Sequence, residues 1–429
     1  MLTKIKKIIH KITPKNILLK MVIMLALGTI LGSALLTLAF CIPVDRMLAG
    51  YQTVGLASLA RENERYLVDY DSSFADCSTE HLMMKVAATP LPPTGENIFQ
   101  KALRCYTLNN EWNHGLTFTQ YEWKGQAYSC DSYERYWHGY AILLKPLMFL
   151  FTYTDIVFIN IFLQMLLIGI IVYLFRKKGM EYLQLPFLIF QAVNMQIIVT
   201  LSLDFSVCFY IYTIALLLLL IKPNICRQYP LFFMGIGMVT AYMDLLTWPL
   251  ITLGIPLIVF LFMGEQGKNA LKRTIISTLF WGIGYVGQWG GKWIIASLFL
   301  SDNVIKDAIR QFGVRSSSVI EDGLTASWGD VIQKNLFVFN KNGYKFLFAF
   351  IAMWIFYTLI KKIKSKTINF RIMAEKIVPY LTIATYPFFW YFVTKQHSFT
   401  HTSMTWRILS ISVFAICSLI SSPVLFEQR

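Results

Sequence analysis

The sequence predicts an all-α polytopic membrane protein of about ten transmembrane helices, with a large first extracytoplasmic loop holding interfacial helices and a short β-hairpin. Three observations predict it. The 429 residues are 56% hydrophobic and 15% charged, with a mean hydropathy of +0.52, too apolar for a soluble chain of this size. Several runs stay almost free of charge over the roughly 20 residues that a bilayer core demands of a helix. The remaining charges are sorted by side: segments 1–20, 176–183, 222–228, 264–273, 361–376 and 424–429 hold 21 Lys and Arg against 4 Asp and Glu, whereas 44–138 holds 8 against 12. This positive-inside pattern places both termini in the cytoplasm and the insert outside. The net charge of +15 is therefore topological, and nucleic-acid binding is excluded.

The spans fall near 21–43, 154–175, 184–203, 205–222, 229–246, 247–264, 274–298, 344–361, 377–394 and 406–424. They divide the chain into a basic cytoplasmic N-terminus (1–20), the first transmembrane helix (21–43), the extracytoplasmic loop (44–153), a transmembrane bundle (154–298), an extracytoplasmic amphipathic segment (299–343) and C-terminal transmembrane helices (344–429). At the start, Lys4, Lys6, Lys7, Lys11 and Lys15 suit anionic headgroups. The first span is long and no small-residue cleavage site follows it, so an uncleaved anchor is expected.

Pro43 ends the first span and Asp45 opens the polar side. The insert concentrates its chemistry in two runs, YDSSFADCSTEH (70–81) and CDSYERYWHGY (130–140). They hold Asp71, Asp76, Glu80, Asp131, Glu134, Arg135 and His138, a set of carboxylates, a cation and an imidazole suited to acid/base work beside a membrane. Asp76 and Glu80, four apart, share a face if the run is helical. A solvated acidic loop is the plain alternative, but Phe74, Leu82, Met83 and Met84 crowd the same run and can hold the acids in a partly dry site.

After the break TPLPPTGEN, Leu116, Phe118 and Tyr121 alternate with polar residues between turn residues Asn113, His114 and Gly115 on one side and Lys124 and Gly125 on the other, predicting the hairpin. Tyr and Trp in DSYERYWHGYAILLKPLMFLFTY belong at a membrane interface. Ala141 to Phe151 is half a span, broken by Pro146, and reads as an interfacial helix that brings Arg135, His138 and Lys145 onto the bilayer surface. Three of the seven cysteines, Cys77, Cys105 and Cys130, lie in the insert, and a Cys105–Cys130 bridge is expected.

Farther on, Asp155 and Asp204 mark outer ends of spans, and Asn160, Gln164, Gln191, Asn194 and Gln196 inside them join helices. Asp244 precedes Pro249 and Pro256; a carboxylate there costs several kcal/mol if dry and unpaired, so it is wet or functional. In WGIGYVGQWGGKW, Gly287 and Gly291 let another helix approach, and Lys292 either snorkels outward or faces an anion. In SDNVIKDAIRQFGVRSSS, Val304, Ile305, Ala308, Ile309 and Phe312 share a face opposite Lys306, Asp307 and Arg310, the pattern of an amphipathic helix on the outer leaflet. Arg310 and Arg315 there face lipid phosphate or water. In QHSFTHTSMTWR, His397 and His401 lie four apart but no HExxH pattern exists, so no metal site is expected; hydrogen bonding to phosphate or sugar, with Arg407 at the mouth of the bundle, is.

A first outer loop with acids after span 1, half-buried helices returning to the membrane and a multi-span bundle together resemble the GT-C-type membrane glycosyltransferases, such as protein O-mannosyltransferases and bacterial enzymes that use polyprenyl-phosphate sugars. The runs RYWHGYAILLKPL, MDLLTWPL and QHSFTHTSMTWR also look like segments of bacterial membrane proteins placed in this group. In that family the catalytic Asp lies in the first loop, often in an acidic pair soon after span 1. Here no adjacent pair exists, and Asp71 and Asp76 come later.

Physical reasoning leads to the same class. Nucleotide sugars and ATP are absent outside, so a transferase there draws its donor from the membrane, and a polyprenyl-phosphate-linked sugar is the natural one. The chemistry needs a carboxylate base and cations or donors for the departing phosphate. Asp71 or Asp76 is the candidate base. Glu80, Arg135, His138, Asp244, Lys292, Arg310, His397, His401 and Arg407 are candidates toward substrate and lipid phosphate. The acceptor is a cell-surface glycan, lipid or protein, in a bacterial plasma membrane; the acids permit a divalent cation without dictating one. Two alternatives stand: a transporter or flippase of lipid-linked saccharide, and a surface-polysaccharide polymerase or ligase. No internal repeat is visible and the polar residues gather at one face, which favours the enzyme.

Overall fold

The computed structural model describes residues 17–55, 65–108, 118–264, 268–320, 323–367, 370–423 and 427–428; the basic run at 4–15, and Asn113, His114, Gly115 and Leu116 of the expected hairpin entry, lie outside them. Among the described residues five helices are long and apolar enough to cross a membrane: Ile17–Phe40, Tyr153–Lys177, Leu203–Ile221, Asn342–Ile363 and Thr402–Ser421. The protein is an all-helical membrane protein with one small sheet in its insert.

Burial sorts these helices. Only 22%, 22% and 6% of the apolar windows of the first, second and fourth are buried, so their apolar surface faces outward; for the third and fifth the values are 61% and 72%, and those two form the centre. In chain order the helices begin with α1 (Ile17–Phe40), α2 (Cys77–Ala88), α3 (Ile98–Arg104), α4 (Ala141–Leu150), α5 (Tyr153–Lys177), α6 (Gln184–Val193), α7 (Gln196–Leu201), the central α8 (Leu203–Ile221), α9 (Tyr229–Met243), α10 (Ile251–Phe262) and α11 (Lys268–Phe299). The chain continues through α12 (Val304–Ser316), α13 (Trp328–Phe337), α14 (Asn342–Ser365), α15 (Phe370–Ala384), α16 (Tyr386–Val393), α17 (Lys395–Thr400) and α18 (Ser410–Ser421).

Several expected spans are broken. The run 184–203 is two helices, interrupted where Met195 takes a left-handed backbone, φ 55°. The amides explain why the break is tolerated: Asn160 Nδ2 donates to the Thr200 carbonyl (2.7 Å), Gln164 Nε2 to Val199 (3.3 Å), and Gln196 Nε2 to Gln164 Oε1 (2.7 Å), tying the loose α7 to α5. Helices α9 and α10, of 15 and 12 residues, are shorter than a crossing, and the run 377–394 divides into α15 and α16 at Thr385, just before Pro387. Residues 406–424 begin as a 3₁₀ turn, Trp406–Leu409, before α18.

Small residues set the closest helix contacts. Gly287 and Gly291 of α11 lie against Leu25 and Thr29 of α1. A Cβ on Gly237 of α9 would run into the Trp281 carbonyl of α11, and one on Gly284 into the Met234 carbonyl, so these two backbones pack without intervening side chains.

In the insert, Asn97 and Gln100 form a capping box that starts α3. The sheet runs β1 (Thr107–Leu108), β3 (Gln126–Asp131), β2 (Phe118–Trp123). Lys124 (φ 50°) and Gly125 (φ 78°) make the two-residue turn between β2 and β3, the conformation that matches strand twist. Three expectations are corrected here. Cys105 and Cys130 are both buried, unbridged thiols: Cys105 closes α3 with its sulfur 3.0 Å from the Ala102 carbonyl, while Cys130 packs against Tyr106 and Tyr121. Lys145 does not reach a membrane surface; it is 1% exposed, donates to the Ala87 carbonyl at the end of α2 (2.7 Å) and lies over the Phe40 ring. The apolar face of α12 splits, with Val304 and Ala308 buried and Ile305, Ile309 and Phe312 exposed, because α11 takes up only the inner half of it.

Candidate functional site

A cavity of about 700 Å³ opens beside the start of the first acidic run, 70–81. The 3₁₀ turn Asp71–Ser73 brings Asp71 to its wall, and the capping box Ser327–Asp330 starts α13 so that Asp330, Gln333 and Lys334 line the opposite side. Arg65 Nη2 pairs with Asp71 Oδ1 at 2.7 Å, and the Asp71 side chain remains 40% exposed. Phe74, Phe399, Thr402 and Ser403 complete a wall of rings and hydroxyls. Of the two candidate bases, Asp71 is the one a dissolved hydroxyl can meet.

Behind this wall lies a buried cluster. Asp76 caps α2, accepting from the Thr79 N–H (3.2 Å) and hydroxyl (2.6 Å). Glu80, one turn on, is 1% exposed; it accepts from the Leu203 N–H at 3.0 Å and from the Tyr153 hydroxyl. Burial pushes its carboxyl up, and the Asp76 charge adds to the rise. Asp204, in the first turn of α8, accepts from the Ser202 hydroxyl. Three carboxylates thus sit at the N-termini of two helices, where free N–H groups and the helix dipoles favour negative charge. Arg407 supplies the counter-charge within electrostatic reach of Asp76 and Asp204. It is fully buried, donates from Nη1 to Ser403 (3.0 Å) and from Nη2 to Ser72 (3.4 Å), and stacks 4.1 Å from the Phe205 ring centre. Arg407 Nε, Asp204 Oδ2 and the Asn194 amide atoms are buried without a hydrogen-bond partner among the described residues. Such groups suit water or a polar ligand rather than a closed apolar core.

The other expected site residues hold the fold together. His138 is not at a surface: its backbone is left-handed (φ 51°), its Nε2 donates to the Tyr133 carbonyl (3.0 Å) and its Nδ1 accepts from Tyr140 (2.7 Å). Burial drives its pKa down to about 3, so it is neutral and spoken for. Lys292 does not snorkel; wholly buried, it donates to the Leu103 carbonyl at the end of α3 (2.7 Å), with the Glu134 carboxyl within electrostatic reach. Arg135 pairs with Asp307 (2.8 Å), which also takes Arg310 (2.9 Å), so neither cation is unpaired. Asp244 is 3% exposed and closes its own turn by accepting from the Thr247 N–H and hydroxyl. His397 Nε2 donates to the Leu246 carbonyl (2.9 Å) and Nδ1 accepts from Arg315 (2.8 Å), with the His401 ring 4.7 Å away. Burial and the Arg315 charge hold His397 well below its ordinary pKa, in the neutral form. No group of three or more metal-ligating side chains converges among the described residues.

Among the charged and amide residues of the site, five were not legible as such: Asp204, which reads only as a helix flank, Arg65, Asp330, Gln333 and Lys334. The S-x-x-D run at Ser327 marks the start of α13 but not what α13 faces. The fold defines a class, an α-helical membrane protein with a folded polar insert. Compared with known protein families, curated proteins and solved structures, the chain matches none. Its function is therefore argued from the chemistry of the site.

Proposed function

We propose that the protein is a membrane glycosyltransferase that moves a sugar from a polyprenyl-phosphate carrier to a hydroxyl on a cell-surface glycan, lipid or protein. In this reading the chain is a multi-pass protein of a bacterial plasma membrane, both termini are cytoplasmic, and the cavity opens on the other side. One observation carries it: an accessible carboxylate, Asp71, lies in a cavity of about 700 Å³ whose wall offers Asp330, Gln333, Thr402 and Ser403 to sugar hydroxyls. A volume of that size suits a small polar ligand. Asp71 takes the proton of the acceptor hydroxyl, the acceptor oxygen bonds to the anomeric carbon, and the carbon–oxygen bond to the phosphate breaks with its electron pair on the departing polyprenyl phosphate. Asp76, Glu80, Asp204 and Arg407 position the turn that carries Asp71.

The test is transfer of radiolabelled sugar from a panel of polyprenyl-phosphate donors in proteoliposomes, with wild type and Asp71→Asn. Transfer that is lost in the folded variant supports the reading. Labelled lipid that crosses the bilayer without transfer, equally in both proteins, replaces it with the flippase.

A further inference from the structure

The polar cavity at Asp71 has an apolar counterpart in the membrane-spanning part of the protein. A recess of about 800 Å³ opens between α1, α4, α5, α8 and α9, with Met83 of the insert helix α2 also in its wall. Its inner wall is buried, as at Met83, Leu144, Ile211 and Met238, whereas its rim is exposed, as at Leu31, Leu143, Ile214 and Val239. The rim runs on into the outward apolar surfaces of α1 and α5, only 22% of whose crossing windows are buried. The medium at the mouth is therefore the bilayer.

The wall offers almost nothing to water. Asn160 Nδ2 donates to the Thr200 carbonyl (2.7 Å) and to Ser206 Oγ (2.8 Å), and its Oδ1 accepts from the Tyr210 hydroxyl (2.7 Å). The Ser206 hydroxyl donates to the Val199 carbonyl (3.0 Å), that of Tyr242 to the Gly32 carbonyl (2.7 Å) and that of Tyr140 to His138 (2.7 Å). These polar side chains are committed to the protein itself. Gln288 Oε1 is an acceptor without a partner among the described residues, but a buried water needs about two to four.

Left empty, a space of this size forfeits dispersion contacts for the groups around it. Hydrocarbon restores them, and the recess has a length that suits it. Its lining on α8 runs from Leu203, whose N–H Glu80 of the insert holds, to Ile214, about 16 Å at about 1.5 Å per residue. That is close to half of the roughly 30 Å hydrocarbon core, the depth of one leaflet. We propose that the recess binds one acyl chain of a membrane phospholipid. The chain touches α4 of the insert and α8 and α9 of the bundle at once, and so joins the two. The inference does not rest on the transferase reading.

Photolabelling of the full-length protein in detergent tests it, with increasing amounts of a phosphatidylglycerol that carries a diazirine in one acyl chain and with the labelled residues located by mass spectrometry. Label should reach Met83, Ile211 and Met238 of the buried inner wall and saturate at a single probe per protein. Phe158 and Phe162, exposed on α5 and outside the recess, are the control, and their label should rise in proportion to the probe. Val207→Phe on α8 and Val239→Phe on α9 fill the recess from two helices, and each should lower inner-wall labelling at least about fivefold with the control label unchanged. Saturation in the wild type needs no variant, so it decides even where a filled recess does not fold. Label on Phe158 and Phe162 without label on the inner wall, or inner-wall label that rises without saturating, overturns the proposal. Inner-wall label that a polyprenyl phosphate removes and unlabelled phosphatidylglycerol does not also overturns it, and gives the recess to a prenyl chain.

Discussion

Glu80 accepts a hydrogen bond from the Leu203 N–H at 3.0 Å across 123 residues of chain, so a side chain of the polar insert caps a helix of the bundle. The two halves of the protein are joined at a buried carboxylate, and the turn bearing Asp71 lies beside that joint.

This joint makes stability depend on pH. Burial raises the Glu80 carboxyl from its ordinary 4.5 to about 7. Between those values the unfolded chain ionises Glu80 and the folded protein keeps it protonated, so stability falls as pH rises through the window and levels off above it. The difference is about 3 kcal/mol at most. Melting curves from pH 4 to 8 should show the decline in wild type and a smaller one in Glu80→Gln; parallel curves would remove the argument.

Asp71 and Asp76 should separate. Asp71→Asn, at a half-exposed ion pair, should change stability by less than about 1 kcal/mol while lowering transfer roughly 10²–10⁴-fold. Asp76→Ala, which removes a helix cap, should destabilise by about 1 kcal/mol whatever happens to turnover. Unfolding and proteoliposome transfer measured on the same preparations decide between them.

Arg407 is the counter-charge of a buried acidic cluster. Arg407→Met should destabilise by about 3–5 kcal/mol because it leaves Asp204 and Asp76 uncompensated, and adding Asp204→Asn should restore part of the loss. A double-mutant cycle by equilibrium unfolding reads the coupling. Additive effects would show that the two side chains do not interact.

Lys292 and Gly237 are structural. Lys292→Met strands the Leu103 carbonyl and should cost about 1–3 kcal/mol with the donor KM unchanged. Gly237→Ala forces α9 from α11 against backbone, where no rotamer gives relief, and should lower the melting temperature more than Gly290→Ala, which has open space.

The class of the protein was legible because long apolar runs can satisfy their backbone in a bilayer only as helices. Local chemistry was legible where it decides: Lys124 and Gly125 turn a hairpin in the insert, and Gly287 and Gly291 admit a neighbouring helix; the capping box of Asn97 and Gln100 that starts α3 was not read from the sequence. Local pattern also identified the two acidic runs. It did not tell which acids are dry. His138, Lys145 and Lys292 carry charges or rings that at the sequence level suit a phosphate, yet each is used on a carbonyl of the insert. Asp204, a flank by sequence, is drawn into the core because α8 begins beside the first turn of α2, and the partner of Arg407 is a turn 335 residues away. Composition and periodicity thus determined the membrane class and the positions of most helices, since those depend on short-range hydrogen bonding and solvent. Which charges are buried, paired or left open depends on contacts between distant segments, and only the tertiary structure decided that.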